Sequence, residues 1–219
     1  MHVHHLLEKN SVANVLISQL RNVSIQTDRM RFRRNIERLG EIMAYELSQS
    51  LNYTSKEIRT PLGTAVVPEI DEELVICSIL RAGLPLHTGL LNIFDGADNS
   101  FISAYRHHPN DDEEFEILVE YLASPSLENK TLILADPMLA TGRSFANVLK
   151  ALENMGTPKI IHLVSVIGAR EGIEYLQDIF PKNSHLWIAA IDEELDERGY
   201  IVPGLGDAGD LCFGPKEQH

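Results

Sequence analysis

The chain reads as an α/β protein built on a parallel sheet with helices on both faces. Three observations predict this. Apolar runs of strand length recur at 74–80, 101–105, 132–136, 160–167 and 186–191, with helical stretches between several of them, the alternation that builds crossover units. The run at 132–136 ends in a carboxylate, and a short loop of small and hydroxyl residues then opens into a helix. With 219 residues and 44% hydrophobic content, the chain can bury one full core.

Taken in order, residues 1–27 form a mixed N-terminal arm. His2, His4 and His5 could bind a metal there, but a loosely held end or docking arm is the expectation. From 28 to 51 the pattern is helical: Phe32, Ile36, Leu39, Met43 and Leu47 recur at steps of three and four, behind Asp28 as N-cap. Arg29, Arg31, Arg33, Arg34 and Arg38 crowd its first half, either as a solvated, ion-paired face or as an effector or subunit contact. Residues 60–67 read as a turn and strand. The run 74–80 is the first buried strand, and Arg81-Ala82-Gly83-Leu84 breaks from it into a helix. Residues 107–116 are too polar to pack and read as an exposed loop or hairpin tip. Phe145, Val148, Leu149 and Leu152 mark a helix that stops near Gly156 and Pro158, and 171–180 marks another. No repeat or linker divides the chain, so 1–219 reads as a single domain.

Bulk properties narrow the function. A net charge of −13 repels nucleic acid, so a binding role there would need a strong local basic patch. Two cysteines, Cys77 and Cys212, do not make a disulfide scaffold. Cys77 sits in an apolar run and reads as core. No apolar run approaches the roughly 20 residues of a membrane span, and the N-terminus has no signal-peptide core. A cytoplasmic enzyme is the expectation.

The segment that carries chemistry is Asp136-Pro137-Met138-Leu139-Ala140-Thr141-Gly142-Arg143-Ser144. A strand-to-helix junction of this kind builds an anion cradle: backbone N–H groups and the positive helix end meet a phosphate, while Asp136 can face a sugar or a metal. Thr141 and Ser144 can donate to phosphate oxygens, and Gly142 lets the backbone approach closely. Within 136–144 neither G-x-G-x-x-G nor a Gly-Lys-Ser/Thr loop occurs, so this segment is not a dinucleotide or Walker site.

That segment resembles the phosphoribosyl-pyrophosphate (PRPP) motif of type I phosphoribosyltransferases, in the form of the uracil phosphoribosyltransferase family. Two further blocks agree in order and spacing. Ile79-Leu80-Arg81-Ala82-Gly83-Leu84 resembles that family's pyrophosphate loop, and the run from Gly199 to Asp210 resembles its uracil-binding segment. The resemblance covers about residues 15–215. It implies a Rossmann-like phosphoribosyltransferase fold, with an N-terminal helical arm over about 1–27 and a C-terminal hood over the base. The activity it implies is transfer of the 5-phosphoribosyl group from PRPP to uracil, giving UMP and pyrophosphate in pyrimidine salvage.

Residue by residue, the resemblance implies PRPP binding by Arg81, Arg106, Asp136, Pro137, Met138, Leu139, Ala140, Thr141, Gly142, Arg143, Ser144 and Asp207. It implies uracil binding by Ile201, Gly206, Asp207 and Ala208, and catalytic roles for Asp207, Arg81 and Asp136. Mg2+ is the implied cofactor, arriving mainly on PRPP and lying near Asp207. A homodimer or higher homo-oligomer and a GTP effector are also implied. The sequence departs from the usual family form at Arg143, where glycine is common, at His107-His108-Pro109-Asn110, around Glu120-Tyr121, and at Leu211-Cys212. Two other functions are open to a chain of this kind. An RNA-binding regulator of the same fold is opposed by the acidic charge and by the intact 199–210 block. A transferase for orotate or a purine is opposed by that block alone.

Overall fold

The computed structural model describes residues 1–107 and 116–216, and for 104–107 and 116–120 it describes the backbone alone. The polar loop expected at 107–116 and the departure at 107–110 therefore lie almost wholly outside the described residues.

The chain runs β1 (His2–His5), α1 (Val12–Arg21), α2 (Arg29–Ser48), β2 (Tyr53–Thr60), β3 (Gly63–Ile70), β4 (Leu74–Leu80), α3 (Gly83–Ile93), β5 (Asp98–His107) and β6 (Glu116–Ala123). It continues through β7 (Thr131–Ala135), β8 (Met138–Leu139), α4 (Arg143–Leu152), β9 (Ile160–Ala169), α5 (Arg170–Ile179), β10 (His185–Asp192), β11 (Glu194–Leu195), β12 (Ile201–Val202) and α6 (Ala208–Phe213). The main sheet has the order β1-β10-β9-β7-β4-β5-β6, with β8 pairing β9. All its pairings are parallel except β5 with β6, so the expected parallel sheet gains one antiparallel edge strand.

The central strands are buried on both faces, and their side chains alternate between two cores. Ile76, Ile133, Val164, Trp187 and Ala189 join one, with α1, α2 and α3. Val75, Cys77, Leu132, Leu134, Leu163 and Ile188 join the other, with α4 and α5. A strand covered on both sides needs an unbroken apolar run, which is why these elements stand out in the sequence.

Helix α2 follows its periodicity closely. Asp28 caps it by accepting the Arg31 N–H at 3.0 Å, and Phe32, Ile36, Leu39, Met43 and Leu47 are buried. Its arginines divide. Arg31 and Arg34 pair locally with Asp28 and Glu37, while Arg33 donates to the Cys212 carbonyl at 2.5 Å and lies over the Phe213 ring. Part of the cluster thus holds α6 in place.

The N-terminus corrects the expectation of a loosely held end. His2–His5 form an edge strand parallel to β10. His4 stacks on Trp187 with ring centroids 3.8 Å apart, and its Nε2 meets His185 Nδ1 at 3.0 Å. The Trp187 indole donates to His162 Nδ1 at 3.1 Å. Among the described residues no group of three His, Cys, Asp or Glu side chains could hold a metal. These imidazoles are kept neutral. Burial lowers the pKa of His4 and His185, with neighbouring histidines adding to it, and burial with His185 pushes His162 down to about 3.

A histidine whose pKa is lower folded than unfolded takes up its proton on unfolding. Its contribution is therefore present above the unfolded value near 6.5 and lost as pH falls below it. The thermal midpoint is expected to drop between pH 7 and pH 5, and His4→Phe, which keeps the stack but cannot titrate, should reduce that drop. Parallel pH curves for the two proteins would remove His4 from the acid sensitivity.

Candidate functional site

Parallel α/β sheets bind ligands beyond the carboxyl ends of their strands, where loops and helix starts converge. A cavity of about 640 Å³ opens there. Its walls come from three places: the end of β4 with the turn into α3, the junction from β7 to α4, and the segment from 198 to 210.

At the β7–α4 junction the chain is pinned before it turns. The Asp136 N–H donates to the Val164 carbonyl at 3.1 Å, and the Pro137 carbonyl accepts from Val166 and Ile167 at 3.1 and 3.0 Å. Gly142 then caps α4 in the left-handed region, φ 76°. A Cβ there would lie 2.9 Å from the Gly172 carbonyl and 3.0 Å from Leu176 and Tyr175, so only glycine fits against α5. Helix α4 has no acidic residue in its first turn, which leaves its positive end available to an anion in the cavity. Asp136 is partly buried on the cavity wall, and its carboxylate accepts the Met138 N–H at 3.2 Å. Removal from bulk water pushes this carboxyl up to about 7, against the lowering by that hydrogen bond.

On the opposite wall Arg81 follows a cis peptide at Leu80–Arg81. Its guanidinium donates to Asp210 Oδ1 at 2.9 Å and to the Gly214 carbonyl at 3.3 Å. This ion pair joins the strand-end turn to α6. Asp207 caps α6, with Oδ1 accepting the Asp210 N–H at 2.9 Å.

The third wall is a small hairpin of β11 and β12, followed by a cis Val202–Pro203 bond and the glycines that lead into α6. Gly204 N–H donates to Asp192 at the end of β10, 3.0 Å away, so the segment is rooted in the main sheet.

Most of the site residues expected from sequence meet at this cavity. Arg81, Asp136, Met138, Ala140, Thr141, Gly142, Ser144 and Asp207 line it, as do Ile201, Gly206 and Ala208. Three do not. Pro137 and Leu139 are buried beneath the loop, and Arg143 is exposed at the start of α4, away from the lining. The Arg106 side chain lies outside the described residues. Tyr200, Asp210, Arg198 and Lys216 line the cavity without having been singled out. The first two lie inside the 199–210 block and Arg198 precedes it, whereas Lys216 follows a Gly-Pro step with no cue of its own.

The departure at Leu211-Cys212 faces inward rather than toward the cavity. Cys212 is fully buried with Leu211 packed against the same core, and burial pushes its thiol up to about 12. Cys77 is likewise buried, its thiol raised to about 11.

The family model described as uracil phosphoribosyltransferase matches residues 7–215. A uracil phosphoribosyltransferase from Porphyromonas gingivalis is 49% identical over 216 residues, which span 99% of this chain and 100% of that one. One from Methanothermobacter thermautotrophicus is 40% identical over 185 residues, 84% of this chain and 83% of that one. Among solved structures, the AQ2163 protein from Aquifex aeolicus superposes with a TM-score of 0.86 at 29% identity, covering 97% of this chain and 98% of that one. A hypoxanthine phosphoribosyltransferase from Staphylococcus aureus gives a TM-score of 0.52 at 15% identity over 87% of this chain and 91% of its own, a likeness of fold alone.

Proposed function

The chain belongs to the uracil phosphoribosyltransferase family, and on that premise we propose that it transfers the 5-phosphoribosyl group of PRPP to N1 of uracil, giving UMP and pyrophosphate. The observation that carries this reading is a single cavity shared by the β7–α4 anion cradle and the glycine-rich 199–210 segment.

Each wall has a part. The 5-phosphate sits on backbone N–H groups and hydroxyls of 138–144 at the start of α4. Asp136, as a carboxylate, accepts the ribose hydroxyls. The C1–O bond of PRPP breaks with its electron pair going to pyrophosphate, while uracil N1 bonds to C1 and its proton passes to the departing pyrophosphate or to water. Positive charge develops on the ribose and negative charge on the leaving group. Arg81 meets the pyrophosphate, which competes with Asp210 for the guanidinium. Asp207 places a carboxylate beside the ribose. Asp207 and Asp210 offer oxygen donors of the type Mg2+ prefers, and an ion arriving on PRPP would neutralise part of the pyrophosphate charge. Arg106 would add a second cation for the leaving pyrophosphate.

The base is read by backbone atoms of 201, 206 and 208. Uracil offers alternating acceptors and donors on one edge, and cytosine puts a donor amine where an acceptor is needed. An unpaired polar group in a dry site costs about 1–3 kcal/mol, or about 5- to 150-fold in discrimination. Steady-state assays with PRPP, Mg2+ and uracil, cytosine, orotate or hypoxanthine test this. UMP from uracil alone is expected, and product from another base with none from uracil overturns the assignment.

A homodimer or larger homo-oligomer, activation by GTP and a cytoplasmic setting rest on the family alone. Light-scattering mass tests the first, and the rate of UMP formation with and without GTP tests the second. None of the described helices is long and apolar enough to cross a membrane.

A further inference from the structure

Arg21 and Asp192 lie outside the cavity lining, yet together they grip one residue of the segment that forms its third wall. Arg21 ends α1 and Asp192 ends β10. Their pairing is bidentate, with guanidinium nitrogens 2.8 and 2.7 Å from the two carboxylate oxygens. Asp192 is 7% exposed and Arg21 24%. The same guanidinium donates to the Gly204 carbonyl at 3.0 Å, and the same carboxylate accepts the Gly204 N–H at 3.0 Å. One ion pair thus satisfies both polar groups of a single backbone residue.

That residue has little freedom. Gly204 sits at φ 58°, and a Cβ on it would lie 2.0 Å from the Ile201 carbonyl. It stands between the cis Val202–Pro203 bond and the cavity-lining Gly206, Asp207 and Ala208. Gln26 holds the next position, donating to the Leu205 carbonyl at 3.1 Å and to the Leu20 carbonyl at 2.7 Å. No side chain in 204–206 can fix this backbone from within the cavity, since two of the three residues are glycine and Leu205 is buried.

We infer that Arg21 and Asp192 are positioning residues for the base-recognition segment, setting where the backbone donors and acceptors of 204–208 meet the base. The inference rests on the proposed uracil reaction for its kinetic form. A bidentate pair with its carboxylate buried is well suited to the task, because the planar fork fixes distance and orientation together. The PRPP cradle is held separately, by β9 and α5. The effect should therefore be selective for the base.

Hydrogen exchange and steady-state kinetics of the full chain test this. In Arg21→Ala, amides of 199–208 should exchange faster, while those of 138–144 remain as in the parent. The KM for uracil should rise about tenfold, with the KM for PRPP within about twofold and kcat within about threefold. Arg21→Lys, which keeps the charge but not the planar fork, should fall between, and millimolar guanidinium should lower the uracil KM of Arg21→Ala toward the parent value. A general loss of stability would not respond in that direction. If Arg21→Ala does not fold, Gln26→Ala, which releases only Leu20 and Leu205, should show the same selectivity at smaller size. Unchanged exchange at 199–208 in a folded variant, or equal changes in both KM values, overturns the positioning role. A parent protein that makes no UMP overturns the uracil assignment instead, and leaves the exchange result to decide the role of the clamp.

Discussion

Asp207→Asn is expected to lower kcat for UMP formation about 100-fold while leaving the thermal midpoint almost unchanged. The two effects separate because the cap Asp207 provides and the charge proposed for it beside the ribose can be removed independently. Its Oδ1 accepts the Asp210 N–H and starts α6, and asparagine caps a helix about as well as aspartate. What the substitution removes is the negative charge on the cavity wall, where positive charge develops on the ribose. Asp207→Ala would confound the two by losing the cap as well. Steady-state kinetics beside a thermal melt make the measurement. A folded Asp207→Asn protein with near-parent kcat would take this charge out of the reaction.

Asp136→Asn should change stability and activity in opposite directions. The carboxyl titrates near 3.8 when unfolded and near 7 when folded, so between those values the folded state holds the extra proton. Its contribution to stability therefore falls as pH rises from about 4 to about 7, and the full penalty applies above that range. Asparagine can still accept the Met138 N–H and carries no charge to desolvate. At pH 8 the variant is expected to be more stable than the parent by up to about 4 kcal/mol, less whatever water in the cavity solvates the carboxylate, with the gain vanishing near pH 4. Activity should move the other way, with kcat/KM for PRPP falling about 100-fold as the ribose loses its carboxylate acceptor. In the parent, turnover should also decline as pH drops through 7 and Asp136 takes up its proton. Urea unfolding at pH 4 and pH 8, beside a pH–rate profile, checks both arms. A variant no more stable than the parent at pH 8 would show that the carboxylate is solvated from the cavity.

The legible parts of the chain are those whose pattern is set by burial. Strands β4, β7, β9 and β10 announce themselves because both faces are covered. The face of α2 is written in Phe32, Ile36, Leu39, Met43 and Leu47, all of them buried. The cradle at 136–144 is legible because close phosphate approach demands small residues and a glycine with positive φ. Strand β2 is silent because it pairs only with β3, in a two-stranded hairpin that leaves most of both strands exposed, so no alternation is imposed on Tyr53–Thr60. Strand β1 is silent because four residues are too few to show a period. The pairing of Arg81 with Asp210 and the reach of Arg21 to Gly204 join residues 129 and 183 positions apart. No local spacing encodes such contacts. Lys216 belongs to the same class, since only folding brings the tail to the cavity.

The place of β1 also bears on how the chain is made. His4 meets His185, 181 positions along the chain, and among the described residues the strand pairs only with β10. During synthesis β1 must wait for β10 to emerge before it has a strand to pair with. At about 5–20 residues per second that wait is on the order of 10–40 seconds. Closing so long a loop is costly in entropy, and little is gained until β9 and β10 are already aligned. The first strand in the sequence is thus among the last to join the sheet, and until then β10 presents an unpaired edge on which a chaperone, or another nascent chain, could act.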